Sequence, residues 1–298
     1  MQFVNPYVVS NAVGNSPAFV GRKDILREVY AILRNPQQNA ILLHGQHRIG
    51  KTSILRQLEA ELLKKDDYYP VFFDLLGKMH QPVEQIVQDL ANDICKVLGK
   101  EKPQLGEVSQ TFFRDTWLPD LFFADEKKSL ALLFDEFDAL DDDLYKKIRA
   151  EFFRYLQDLL AIDRKRLNFV FVIGRNVGDL TQIALSLFKE IPTKQVSFLN
   201  QKNTFELIEL AEENKTLRWS KRAKNKVWQF TKGHAYLTQQ VCYRVWEHLH
   251  ESNINKVPTV SPKHIEQVIS INDNNWQVFP NILIDCISNK TEQELCRP

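Results

Sequence analysis

Two short stretches carry side chains suited to phosphate chemistry. The first reads Gly45-Gln46-His47-Arg48-Ile49-Gly50-Lys51-Thr52 and continues into Ser53. It fits the spacing G-x-x-x-x-G-K-[ST] of a phosphate-binding loop. Glycines at the two ends let successive backbone N–H groups curl inward around phosphate oxygens. A helix starting at Lys51 would aim its positive end at the same anion. Lys51 would contact the β and γ phosphates, and the Thr52 hydroxyl would ligate Mg²⁺. The second stretch is Asp135-Glu136, which follows the apolar run Leu130–Phe134. Asp135 suits Mg²⁺, partly through water, and Glu136 is placed to orient and deprotonate an attacking water. The cofactors read from these residues are ATP or ADP with Mg²⁺, and the reaction is hydrolysis of ATP.

Such side chains need a strand before the loop, a helix after it, and the acids at the C-terminal end of another buried strand. The chain supplies all three. "AILLH" (40–44) is a short buried-type strand, and Ile54, Leu58 and Leu62 mark the helix that follows. Further strands are expected at 69–75, 129–138, 168–176 and 194–199. Helical stripes at Ile25/Leu26/Val29/Leu33, Ile86/Leu90/Ile94 and Phe152/Leu156/Leu159 alternate with them. Gly99 is placed to stop one helix. Residues 100–108 read as a loop, and 111–123 as a helix broken or ended near Pro119. Asp138 and Asp141–Asp143 read as caps for the next helix. Beyond about residue 200 strand-like runs disappear, and a last helix is expected to start at Ser261-Pro262. The fold class that follows is α/β: a P-loop three-layer sandwich with a mainly parallel five-stranded sheet, then an all-helical lid. The expected divisions are an extended arm (1–20), an ATPase core (21–200) and the lid (201–298).

Composition narrows the setting. The 298 residues are 44% hydrophobic and 26% charged, with a formal net charge of +1. That balance gives the whole chain no electrostatic lure for nucleic acid or anionic lipid, so nucleic acid is not indicated, although a local patch is compatible with it. The run Lys221, Arg222, Lys224, Lys226 reads as a solvated helix face. Cys95, Cys242, Cys286 and Cys296 contain no C-x-x-C pair, which argues for reduced thiols rather than zinc or disulfides. No leader pattern or membrane-length apolar run is seen, and the expectation is a cytoplasmic protein.

Taken in order, "NPYVV", "FVGRKDIL", "GQHRIGKTSIL", "VFFDL", "LFDEFD", "FVFVIGRN" and "KGHAYLTQQVCYRVW" resemble the AAA-like ATPase module of bacterial STAND proteins, the signal-transducing relatives of NACHT and NB-ARC switches. The resemblance covers roughly residues 5–250. It implies that Val20, Gly21 and Arg22 lie by the adenine and ribose. It implies that Arg175 senses the γ-phosphate, with Asn176 as the competing choice. It places His234, in the turn Gly233-His234-Ala235, toward the nucleotide, with Ala235 standing where such proteins carry proline. The alternative for His234 is a capping or surface residue at a helix start. No arginine finger stands out among Arg154, Lys189 and Lys194. The family reading implies slow hydrolysis coupled to lid movement and self-association in the ATP state. Residues 275–298 are too short for a sensor or effector, so those would be separate or missing. Rival readings are a nucleotide-gated scaffold with incidental hydrolysis and a DNA-associated AAA-type ATPase.

Overall fold

The computed structural model describes residues 3–78, 80–101, 109–124, 128–140, 146–251 and 257–270. The expected caps at Asp141–Asp143, most of the loop 100–108, Cys286, Cys296 and the segment 275–298 lie outside the described residues. Two compact units emerge. One comprises Ala12–Gly45 and Gly50–Ser197; the other comprises Met1–Asn11, Gln46–Ile49 and Phe198–Pro298 as far as these are described.

The first unit runs α1 (Lys23–Leu33), β1 (Ala40–His44), α2 (Lys51–Lys65), β2 (Tyr68–Asp74), α3 (Val83–Leu98), α4 (Gln110–Phe112), a π-helical turn (Phe113–Trp117) and α5 (Leu118–Ala124). It continues with β3 (Ser129–Asp135), a 3₁₀ turn (Phe137–Leu140), α6 (Lys146–Ile162), β4 (Leu167–Ile173), α7 (Gln182–Phe188) and β5 (Thr193–Gln195). The strands form one five-stranded sheet in the order β2-β3-β4-β1-β5. Every pairing in it is parallel. Strands β3 and β4 are buried along nearly their whole length, as expected where helices cover both faces. One face packs Leu42, Phe73, Phe134, Phe169 and Phe171 against apolar side chains of α3, α6 and α7.

The strand ends differ from expectation in instructive ways. β3 stops at Asp135 because Glu136 turns into the left-handed region, φ +50°. Phe137 drives that turn: its ring is buried against Phe171 (5.0 Å between centroids), Phe188 (5.4 Å) and Phe153 (5.4 Å). β4 ends at Ile173, because the Gly174 N–H leaves the ladder for the Asp138 carboxylate at 2.9 Å. Around Pro119 the helix is not broken at the proline. It widens into the π turn one residue before α5, where Pro119 would have no N–H to give. Gly99 adopts φ +65° and ends α3 with the Lys100 N–H on the Cys95 carbonyl.

The second unit holds α8 (Gln201–Ile208), α9 (Leu210–Glu213), β6 (Arg218–Trp219), α10 (Lys221–Thr231), α11 (Ala235–Glu251), β7 (Thr259–Val260) and α12 (Pro262–Ser270). The expectation of a purely helical region is corrected by the parallel pair β6–β7. Two-residue strands are too short to show alternation. Side chains of Asn200 and Ser220 cap α8 and α10. The N-terminal arm belongs to this unit only as far as Asn11; residues 12–20 count with the first unit. Tyr7 is buried, its hydroxyl donating to the Ile208 carbonyl (2.5 Å) and accepting from Trp219 Nε1 (3.1 Å). Asn5 Nδ2 donates to Glu247, and the Val8 N–H to Gln239. In the basic run Lys221 and Arg222 are exposed, while half-buried Lys224 and Lys226 pair with Glu209 and Glu266. No helix among the described residues is long and apolar enough to cross a membrane.

Candidate functional site

The site gathers at the C-terminal ends of β1, β3 and β4. β1 delivers the chain to Gly45, whose backbone passes close to β5: the Val196 N–H donates to the His44 carbonyl at 2.7 Å. The loop then takes left-handed values at Arg48 (φ +60°) and Gly50 (φ +102°) before α2 begins. No side chain caps the start of α2. Lys51 is folded back and buried, its Nζ donating to the Gly45 carbonyl at 2.9 Å. Burial lowers its pKa, and the nearby carboxylates of Glu136, Asp138 and Asp135 oppose that shift.

Opposite stands Asp135, 3% exposed. Burial raises its pKa, while a hydrogen bond from the Thr52 hydroxyl works the other way. Its Oδ1 is buried and has no hydrogen-bond partner. Thr52 and a partnerless carboxylate oxygen form an oxygen-only pair of the kind a hard divalent cation takes. The residues therefore fit Mg²⁺. Glu136 is half-buried in its left-handed turn. A non-glycine residue held there costs about 1–3 kcal/mol and persists where surrounding packing over-determines it, here through Phe137.

Other expected residues have been given different partners. Ser53 Oγ accepts the Val13 N–H at 3.1 Å. Arg22 is buried and donates through Nη1 to the Ser197 carbonyl at 2.6 Å; burial lowers its pKa to about 10. Val20 is buried, and Gly21 takes φ +68°. Arg175 lies at the end of β4 and donates through Nη2 to the Asp138 carbonyl at 2.9 Å. Asn176 is exposed at the start of a 3₁₀ turn. Asp138, expected to cap the next helix, instead ties down Gly174 and Arg175; its carboxylate was committed across the sheet, which linear spacing does not reveal. Gln46, His47, Arg48 and Ile49 count with the second unit, where the Arg48 guanidinium sits 4.6 Å from the Tyr236 ring centroid. His234, also in the second unit, is fully buried, with its Nδ1 accepting the Leu237 N–H at the start of α11 and its ring 5.7 Å from Phe198. Two residues near the site were missed. His44, the last residue of β1, has its pKa lowered by burial and by the Lys51 charge. Asp74 ends β2 in register with Asp135 and adds to its raised pKa. The acid that closes "VFFD" was the visible signal for Asp74.

Residues 34–180 match the family model described as the AAA domain. Residues 34–180 form an AAA-type P-loop ATPase domain. No curated protein matches the sequence. The AAA domain and the helical region together resemble several solved structures. The RuvB Holliday junction branch migration motor of Thermotoga maritima is 14% identical with a TM-score of 0.53, over 85% of this chain and 70% of that one. The Aeropyrum pernix ORC2 protein in its ADPNP–ADP complexes is 16% identical, TM-score 0.58, over 85% and 67%. The Aeropyrum pernix ORC1 protein in complex with DNA is 16% identical, TM-score 0.57, over 85% and 65%. At such identities the likeness is one of fold.

Proposed function

We propose that the chain is a molecular switch that binds ATP and hydrolyses it slowly, with nucleotide state coupled to movement of the helical unit and to self-association. The observation that carries this reading is the buried Lys51 at an uncapped helix start, within electrostatic reach of Asp135 and Glu136 at the end of β3. Loop N–H groups and Lys51 would bind the phosphates. Thr52 and Asp135 would hold Mg²⁺, which when bound neutralises phosphate charge and orients its oxygens. Glu136 would align the attacking water and accept its proton. Arg175 would report the γ-phosphate. A hundredfold difference in affinity between two arrangements is worth about 2.7 kcal/mol, enough to invert a poised equilibrium. Within this reading, partners that sense the stimulus or execute the response are separate chains or domains, in the manner of STAND proteins.

A second reading, a DNA-associated AAA ATPase, draws support from structural neighbours described as a branch migration motor and as an ORC protein bound to DNA. One set of measurements separates the readings. Lys51→Ala should weaken ATP and ADP binding by about 10–100-fold, the worth of a charge-assisted hydrogen bond. Glu136→Gln should keep binding and slow phosphate release by about 10²–10⁴-fold. Particle size should grow in ATP relative to ADP. Undiminished nucleotide affinity in Lys51→Ala would refute the site. Turnover stimulated by duplex DNA would favour the second reading over the first.

A further inference from the structure

We infer that Asp138 is a positioning residue, holding Arg175 in the orientation from which it distinguishes ATP from ADP. The inference rests on the ATP reading above and adds a residue to it. Strands β3 and β4 run in parallel register from Leu130↔Leu167 to Phe134↔Phe171, so the turns that leave them lie side by side. The turn after β3 is anchored by buried Phe137, which fixes Glu136 on one side and Asp138 on the other. From that anchored point Asp138 makes three contacts with the turn after β4. Its Oδ1 accepts the Gly174 N–H at 2.9 Å, fixing the backbone that carries Arg175. Its main-chain oxygen accepts from Arg175 Nη2 at 2.9 Å. Its Oδ2 lies 3.5 Å from Arg175 Nε.

One residue thus holds the backbone N–H of Gly174, just before the arginine, and one edge of the guanidinium. An arginine side chain carries substantial rotamer entropy, and ordering it at the moment of binding would weaken any contact it makes. Held in advance, it meets the γ-phosphate at lower cost, and only ATP offers that phosphate. The same turn carries Glu136. Asp138 therefore ties the group that would activate water to the group that would sense the phosphate. Its carboxylate is mostly buried, 11% exposed, which keeps solvent from screening the pair.

Asp138→Asn isolates the effect. The amide oxygen can still accept from Gly174, and the main-chain contact stays, but the charge facing Arg175 Nε is gone. Titration with ATP and ADP should show the ratio Kd(ADP)/Kd(ATP) falling about fivefold, with ADP affinity within about twofold of the parent. Arg175→Ala should reduce the ratio further, and adding Asp138→Asn to it should change nothing more. A merely structural role predicts equal weakening of both nucleotides, and that result would overturn the proposal. So would a rise in the ratio, or additive effects in the double variant. Should Asp138→Asn fail to fold, Arg175→Lys in the parent chain keeps the charge and removes the Nε and Nη2 donors; it should lose the same fivefold, and unchanged discrimination would overturn the idea. An unchanged ratio in Arg175→Ala would defeat this inference alone, whereas undiminished binding by Lys51→Ala would defeat the nucleotide site itself.

Discussion

Replacing the two glycines of the phosphate loop by alanine, one at a time, separates two physical costs. A Cβ at position 45 would lie 2.5 Å from the Val196 carbonyl oxygen, about 0.9 Å inside ordinary contact. That oxygen is backbone, and the neighbouring Val196 N–H is bonded to His44, so neither side yields easily. A Cβ at position 50 would meet no atom within 4 Å. Gly50 has φ +102°, and Gly45 φ +155°, so both substitutions carry a backbone penalty of about 1–2 kcal/mol. Gly45→Ala adds the collision, about 1–3 kcal/mol by analogy with overpacking. The expected difference is therefore about 2 kcal/mol. At about 2–4 °C per kcal/mol for a unit of this size, Gly45→Ala should melt about 4–8 °C below Gly50→Ala. Thermal and urea unfolding of the nucleotide-free protein, followed by far-ultraviolet circular dichroism, gives the comparison directly. Equal melting of the two variants would refute the close approach of Gly45 to the end of β5.

Two further outcomes concern polar groups buried in the sheet unit. Asn168 on β4 is fully buried with neither side-chain amide atom hydrogen-bonded, so Asn168→Leu should raise the urea midpoint by the equivalent of about 1 kcal/mol; a lower midpoint would show a partner for the amide. Asp135 has a raised pKa in the fold, chiefly from burial, so ionisation works against folding: its contribution falls as pH climbs from about 4 through the raised value, then stays level. Asp135→Asn should accordingly be more stable than the parent at pH 7, no more stable below about pH 4, and inactive in phosphate release; urea midpoints across that range, with a parallel turnover assay, check all three.

The centre of the site was legible because its chemistry restricts residue types. Only glycine tolerates the crowding beside Val196, and an apolar run ending in Asp135 can only be a buried strand meeting a polar rim. Legibility declined where a residue's role depends on a partner far along the chain. Asp138 looks like a helix cap among other aspartates, and only the β3–β4 register shows it gripping Gly174 and Arg175. Ser53 directly follows the motif but accepts the Val13 N–H, and Arg22 turns to the Ser197 carbonyl. The β6–β7 pair hid because two residues cannot display a period. Pro119 was a true marker of irregularity, yet the missing N–H is absorbed as a wider turn rather than a break.

The grip on Tyr7 and Asn5 sets an order of events during synthesis. Asn5 bonds Glu247, 242 residues later, so this segment must wait for its partner to be made. At about 5–20 residues per second, that wait is roughly 10–50 s on the ribosome. The residues of the sheet unit, through Ser197, are all made within that interval. The contacts that seat Tyr7 and Asn5 thus close only after Ile208, Trp219 and Glu247 have been made.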